Sequence, residues 1–181
     1  SVDLGALRSW DASTGAALAI TDVALLDVAQ LGLSADGTRM ATQHQNGAVR
    51  LWDLTTRRQL GELDQDFHSN VALSPDGRLL AGVDSTRVTV LDFESRRELW
   101  SVGSLGDFDA PTILGAALPP ATATSVVALA TFGADDGVVR LWQRGGKLVR
   151  ALTGHRGMVL AGTFSPDGAL LATGGMDHSA R

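Results

Sequence analysis

Two short motifs contain the residue types of nucleotide-binding or catalytic loops. Gly146-Lys147 lacks the glycine five positions earlier and the following Ser or Thr that a phosphate-binding loop requires. Ser34 lies in Gly32-Leu33-Ser34-Ala35-Asp36, which lacks the closing glycine of a nucleophile elbow. Because Ser34 also belongs to a turn that recurs along the chain, we predict no catalytic residue.

Two acidic stretches contain possible metal ligands. They are Asp64-Gln65-Asp66-Phe67-His68 and Asp107-Phe108-Asp109. A single such cluster on a loop is more typical of solvated surface than of a metal site, so we predict neither a metal nor a cofactor. A catalytic site built from several sheets would need clustered acids and histidines, and those of this chain are scattered.

The composition is that of a folded globular chain. Of its 181 residues, 44% are hydrophobic and 19% are charged. The net charge of -5 argues against a nucleic-acid partner, which a concentrated basic face would favour. No apolar run reaches the roughly 18 residues of a membrane-spanning helix, so we expect no membrane association. The absence of cysteine excludes disulfides and thiolate metal sites.

Two phrases recur along the chain. The first is Leu33-Ser34-Ala35-Asp36-Gly37, Leu73-Ser74-Pro75-Asp76-Gly77, Phe164-Ser165-Pro166-Asp167-Gly168 and the degraded Leu118-Pro119-Pro120. Its second position falls at 34, 74, 119 and 165, in steps of 40, 45 and 46. The second phrase is Gly47-Ala48-Val49-Arg50-Leu51-Trp52-Asp53, and its Trp slot falls at 10, 52, 91 (a Leu) and 142.

Each repeat has the features of β-structure. Pro75 and Gly77 suit a tight turn, and Asn46-Gly47 and Asp136-Gly137 are strong hairpin dipeptides. The apolar runs between them span only about five to seven residues, which fits strands better than helices. A repeat of about 40–45 residues with four short strands is typical of a propeller blade.

With these phrases the sequence resembles the WD-repeat β-propeller family over almost its whole length. The combination of Ser74-Pro75-Asp76-Gly77, Val49-Arg50-Leu51-Trp52-Asp53 and Thr153-Gly154-His155 at blade spacing is specific. The resemblance implies an all-β fold of blades, each with four antiparallel strands a to d, of which a is innermost.

On that assignment residues 28–65, 66–104 and 110–153 are complete blades. Residues 1–20 supply strands c and d of a split blade, and residues 155–181 supply strands a and b. Together they make about four blades, fewer than is usual for the family. Three interpretations remain open: part of a larger propeller, a homodimer that completes a ring, or a small four-bladed ring. The start at Ser1 and the abrupt end at Arg181 favour a piece of a longer chain.

The family's structural network joins His, Ser or Thr, Asp and Trp within one blade. Here the resemblance places His155, Thr173 and Asp177 in it, with Trp10 completing it from the other end of the chain. Two further blades keep three positions each: Thr42, Asn46 and Trp52, and Thr131, Asp136 and Trp142. The blade at Leu91 keeps none clearly. Trp100, outside the repeat, is either a packing residue or a contact anchor.

The resemblance also implies the function. It indicates a non-enzymatic scaffold that presents its rims to protein or peptide partners of unknown identity. The alternative is a sensor or regulatory propeller region of a larger bacterial signalling protein. A propeller enzyme or a small-ligand binder is a third hypothesis, favoured only if acids and histidines from several blades cluster.

Overall fold

A computed structural model describes residues 10, 13–16, 27–63, 67, 69–103, 112–120 and 126–181. These residues form fourteen strands and contain no helix, so none of them belongs to a helix that could cross a membrane. The strands are β1 (Val28–Leu33), β2 (Arg39–His44), β3 (Val49–Asp53), β4 (Arg58–Leu63), β5 (Asn70–Leu73), β6 (Leu79–Asp84), β7 (Arg87–Asp92), β8 (Glu98–Gly103), β9 (Ile113–Ala117), β10 (Leu129–Gly133), β11 (Val139–Trp142), β12 (Leu148–Leu152), β13 (Val159–Phe164) and β14 (Leu171–Gly175).

The strands form consecutive antiparallel meanders. Strands β1 to β4, β5 to β8 and β9 to β12 each make a four-stranded sheet in chain order, and β13 pairs with β14. The first strand of each sheet packs beside the first strand of the next. The predicted all-β fold of four-stranded antiparallel sheets is therefore confirmed.

Residues 180 and 181 pair with β14 where a third strand of the last sheet would lie. Gly174 bridges Ala180, and Thr173 and Arg181 exchange two backbone hydrogen bonds of 2.9 Å. In the described part of the chain this sheet has two full strands where the others have four.

The Ser-Pro-Asp-Gly phrase, with Ala35 in place of proline in the first sheet, forms the same turn in three sheets. In the second sheet the Ser74 hydroxyl donates to Asp76 Oδ1 at 2.6 Å and accepts from the Leu79 backbone N–H at 2.9 Å. Ser34 and Ser165 make the equivalent bonds in the first and last sheets. Gly77 has φ 66°, a left-handed conformation that glycine adopts without a Cβ clash. The phrase therefore fixes the register of the first two strands in these three sheets.

The core consists of apolar side chains between neighbouring sheets. One cluster joins the first two sheets through residues such as Leu51, Leu63 and Leu80. A second joins the second and third sheets through Val83, Val102 and similar residues, and a third cluster lies between β10 and β13. Since each cluster needs side chains from two sheets, no single sheet buries its own faces.

Candidate functional site

The last sheet contains a polar network around His155. The Nδ1 atom of His155 lies 3.0 Å from Asp177 Oδ1, and its Nε2 lies 2.9 Å from Thr173 Oγ1. The side chains of His155 and Asp177 are 3% and 10% exposed. Asp177 also accepts from the Arg156 backbone N–H at 3.0 Å and from the Ser179 hydroxyl at 2.9 Å. The network therefore connects the loop before β13 to the turn after β14.

The chemistry of these atoms fixes the proton positions. A carboxylate only accepts hydrogen bonds, so His155 Nδ1–H donates to Asp177. In the neutral imidazole Nε2 then accepts the proton of the Thr173 hydroxyl. The Arg156 N–H and His155, followed by Ser179, hold the pKa of Asp177 well below its usual range because all of them favour the charged carboxylate. The arrangement fixes an imidazole and joins two loops.

A related network lies in the first sheet, with a different source of histidine. The Trp52 indole N–H donates to Thr42 Oγ1 at 2.9 Å, and the same oxygen lies 3.2 Å from His44 Nε2. All three residues are buried. The positions predicted for this blade are Thr42, Asn46 and Trp52, without a histidine. His44 instead lies two residues after Thr42 on the same strand, and that spacing was the available signal.

Asn46 has a separate role in this sheet. Its side-chain oxygen accepts from the Ala48 backbone N–H at 3.2 Å, within the turn between β2 and β3. This is a local contact within the turn. The three positions predicted for this blade thus divide between a buried network and a hairpin.

The third sheet keeps the bond between tryptophan and threonine and adds an arginine. Trp142 Nε1 donates to Thr131 Oγ1 at 3.0 Å. Asp136, the predicted acid of this blade, pairs with Arg140 and accepts from the Val138 N–H at 2.9 Å. Burial is the largest single influence and would raise the pKa of Asp136, but the hydrogen bonds from Arg140 and the Val138 N–H, together with the Arg140 charge, lower it.

The second sheet replaces the polar network with apolar packing. Leu91 occupies the tryptophan slot, and by strand register Gly82 occupies the position of Thr173. A Cβ added to Gly82 would lie 2.4 Å from the Phe67 ring, which therefore rests directly on this glycine. Phe67 and Leu91 are 3% and 1% exposed and belong to the core between the first two sheets.

Two tryptophans named in the sequence analysis have no described hydrogen bond to these networks. Trp10 is 58% exposed, and no hydrogen bond joins it to Thr173 among the described residues, so its predicted place in the His155 network stays a prediction. Trp100 is partly buried and packs against the core between the second and third sheets.

Most residues of the two acidic stretches are not among those that the structure describes. Asp64, Asp66 and His68 lie outside the described residues, as do Asp107 and Asp109. Within the described ranges, no three His, Cys, Asp or Glu side chains come together as a possible metal site.

The inner strands line a cleft of about 510 Å³. Strands β1, β5, β9 and β13 all contribute to its walls, and the turn residues Pro75 and Pro166 lie at its margin. Three large apolar side chains of the cleft remain open to solvent: Leu31, Leu33 and Leu160 are 54%, 50% and 57% exposed. An apolar concave surface of this kind suits an apolar segment of a protein or peptide better than it suits a charged ligand.

Comparison with known proteins explains the repeated geometry. The family model described as "WD domain, G-beta repeat" matches residues 146–181. Mitochondrial division protein 1 of Saccharomyces cerevisiae is 35% identical over 124 residues, which are 68% of this chain and 14% of that protein. The chain belongs to the WD-repeat β-propeller family.

Other relatives of the WD-repeat chain match more of its length at lower identity. Nuclear distribution protein PAC1 of Coccidioides posadasii is 26% identical over 83% of this chain and 35% of its own length. Protein groucho of Drosophila melanogaster is 29% identical over 75% of this chain and 19% of its own. The chain thus spans between 14% and 35% of the length of these three relatives. The predicted family is confirmed.

Proposed function

We propose that this WD-repeat chain is a non-catalytic scaffold that binds protein or peptide partners. The observation that carries the proposal is the cleft of the inner strands, where Leu31, Leu33 and Leu160 are each at least half exposed. When a partner covers large apolar side chains on a concave surface, the free energy of the complex falls because apolar area is removed from water.

The use of the polar residues supports the same proposal. His155 hydrogen-bonds to Asp177, which also accepts from the adjacent backbone. Thr42 hydrogen-bonds to Trp52 and His44. A general acid or base must face a substrate, and these groups face other strands of the chain. The relatives, moreover, are named for nuclear distribution and mitochondrial division, which are cellular processes, and not for a reaction.

The test selects peptide ligands and asks whether they use the cleft. Peptides enriched from a random display library against the 181-residue chain would be synthesised and their affinities measured by fluorescence anisotropy. Leu33→Glu places a charge on the cleft wall and should weaken the selected peptides about tenfold or more.

Leu170→Glu is the matched control for that variant. Leu170 is 73% exposed but does not line the cleft, so its substitution should leave the affinities unchanged. Failure to enrich any peptide, or equal affinities for both variants, would contradict the proposal.

A further inference from the structure

The basic residues of this acidic chain are concentrated around one outer strand. Residues 137–166 contain five of the 15 basic side chains and none of the 20 acidic ones. This segment therefore carries a formal charge of +5, while the rest of the chain carries 10 basic against 20 acidic side chains, or -10. Strand β12 lies in the middle of this segment.

Strand β12 is exposed along its whole length. All five of its residues are exposed, and Leu148, Val149 and Leu152 are 44%, 43% and 36% exposed. It is the outer strand of its sheet and pairs only with β11 in the described residues, so its other edge presents backbone N–H and C=O groups. Five residues in a strand extend over roughly 17 Å, the length of a short extended peptide.

The four cations nearest in sequence to β12 form no ion pair with an acidic side chain among the described residues. Arg144 and Lys147 lie in the turn before β12, Arg150 lies within it and Arg156 follows it, and all four are exposed. The outer strands of the other two complete sheets differ. Glu62 of β4 pairs with Arg50 at 3.0 Å, and Glu98 of β8 pairs with Arg87 at 2.9 Å.

We propose that the edge of β12 binds an extended acidic peptide segment of a partner protein, which adds to the sheet as a further strand. Alternation of acidic and apolar residues in that segment would match both the unpaired cations and the exposed Leu148 and Val149. Main-chain hydrogen bonds to the open edge would supply affinity, and the positive charge would select the partner and speed its approach. The inference rests on the proposed scaffold function and names a second surface, separate from the cleft.

A peptide of strand-forming residues is favoured over a nucleic acid on this surface. The open edge offers backbone hydrogen bonds that an extended peptide can complete, whereas single-stranded nucleic acid binds through aromatic stacking. Strand β12 contains no aromatic residue.

The test uses a fluorescein-labelled peptide of about eight residues that alternates Glu and Val. Its affinity for the whole chain is expected to fall about tenfold or more in the double variant Lys147→Glu/Arg150→Glu. The matched control, Arg58→Glu/Arg97→Glu, makes the same charge change at exposed positions of the other two outer edges and should bind as the unmodified chain does.

Two further probes separate strand addition from simple charge attraction. The same peptide with N-methyl groups on alternate amides keeps its charge but cannot complete the strand pairing, so it should bind at least about tenfold more weakly. Binding that is insensitive to N-methylation, equal binding by the two double variants, or tighter binding of single-stranded oligouridylate would each overturn the inference. Leu33→Glu should leave this peptide unaffected, so failure here is distinguishable from failure of the cleft proposal.

Discussion

Substitution of the buried threonine hydroxyls by methyl groups tests the networks most directly. In the first sheet Thr42→Val removes one oxygen that serves two buried partners, since Trp52 Nε1 lies 2.9 Å and His44 Nε2 3.2 Å from it. Thr42 is fully buried, so water cannot replace the lost bonds. A buried group left without its partner costs about 1–3 kcal/mol, and two such groups give an expected loss of about 2–6 kcal/mol in the free energy of unfolding.

The same substitution in the other sheets should cost less. Among the described residues, the Thr131 hydroxyl bonds only to the Trp142 indole and the Thr173 hydroxyl only to His155. One unsatisfied partner each gives an expected loss of about 1–3 kcal/mol. Because valine and threonine have nearly the same shape, the three substitutions differ mainly in the number of partners that they leave unpaired.

The assay is equilibrium unfolding in urea followed by far-UV circular dichroism, which does not depend on the tryptophans next to the substituted sites. The expected order of destabilisation is Thr42 first, then Thr131 and Thr173 with similar values. A variant series in which Thr42→Val costs no more than Thr131→Val would refute the assignment of two partners to one hydroxyl. An unchanged slope with urea concentration would show that only the stability, and not the unfolding transition, has changed.

Three other substitutions address packing, titration and the core. Gly82→Ala should destabilise the fold by about 1–3 kcal/mol because its methyl group would collide with the Phe67 ring. Adding Phe67→Leu to the same chain should recover part of that loss in a double-mutant cycle. Strictly additive losses would count against the contact. Hydrogen bonds from the Ser34 hydroxyl and the Thr38 backbone and hydroxyl lower the pKa of Asp36 from 3.8 to about 2, so their stabilisation is present above pH 3.8 and lost as the pH falls towards 2. Ser34→Ala should raise that pKa towards 3.8 in a carboxyl NMR titration and weaken this acid sensitivity, and an unmoved titration would remove Ser34 as the cause. Trp52→Ala should cost about 3–5 kcal/mol in urea unfolding, and a loss below about 1 kcal/mol would be incompatible with its buried position.

The sequence was informative where one local segment determines the structure. The Ser-Pro-Asp-Gly phrase carries its own turn, because Ser74 and Asp76 bond to each other and Gly77 supplies the left-handed residue. Such positions can be predicted from spacing alone. The bonds of Trp52 to Thr42 and of Trp142 to Thr131 also join positions that the family resemblance had marked.

Other features depend on which side chain reaches a site from elsewhere, and spacing does not contain that information. His44 contacts Thr42 from the same strand, and Arg140 pairs with Asp136 in place of a histidine. Phe67 covers Gly82 although it lies in the segment that the sequence analysis considered for metal ligands. In contrast, the basic outer strand had a clear signal, the absence of any acidic residue over 137–166, which a search for repeats does not detect.

The contrast between the sheets indicates what the repeat requires of its residues. The first sheet fills the space beside its second strand with Trp52 and His44 around a hydroxyl, while the second sheet fills it with Phe67 and Leu91 around a glycine. All four side chains are buried, and burial of the sheet faces is the condition for stacking the sheets. The polar network is therefore one way to fill a fixed volume, and its loss in a repeat does not imply loss of the fold. The exposed strand β12 lies outside this filled space. Basic residues in and beside β12 therefore do not disturb the core.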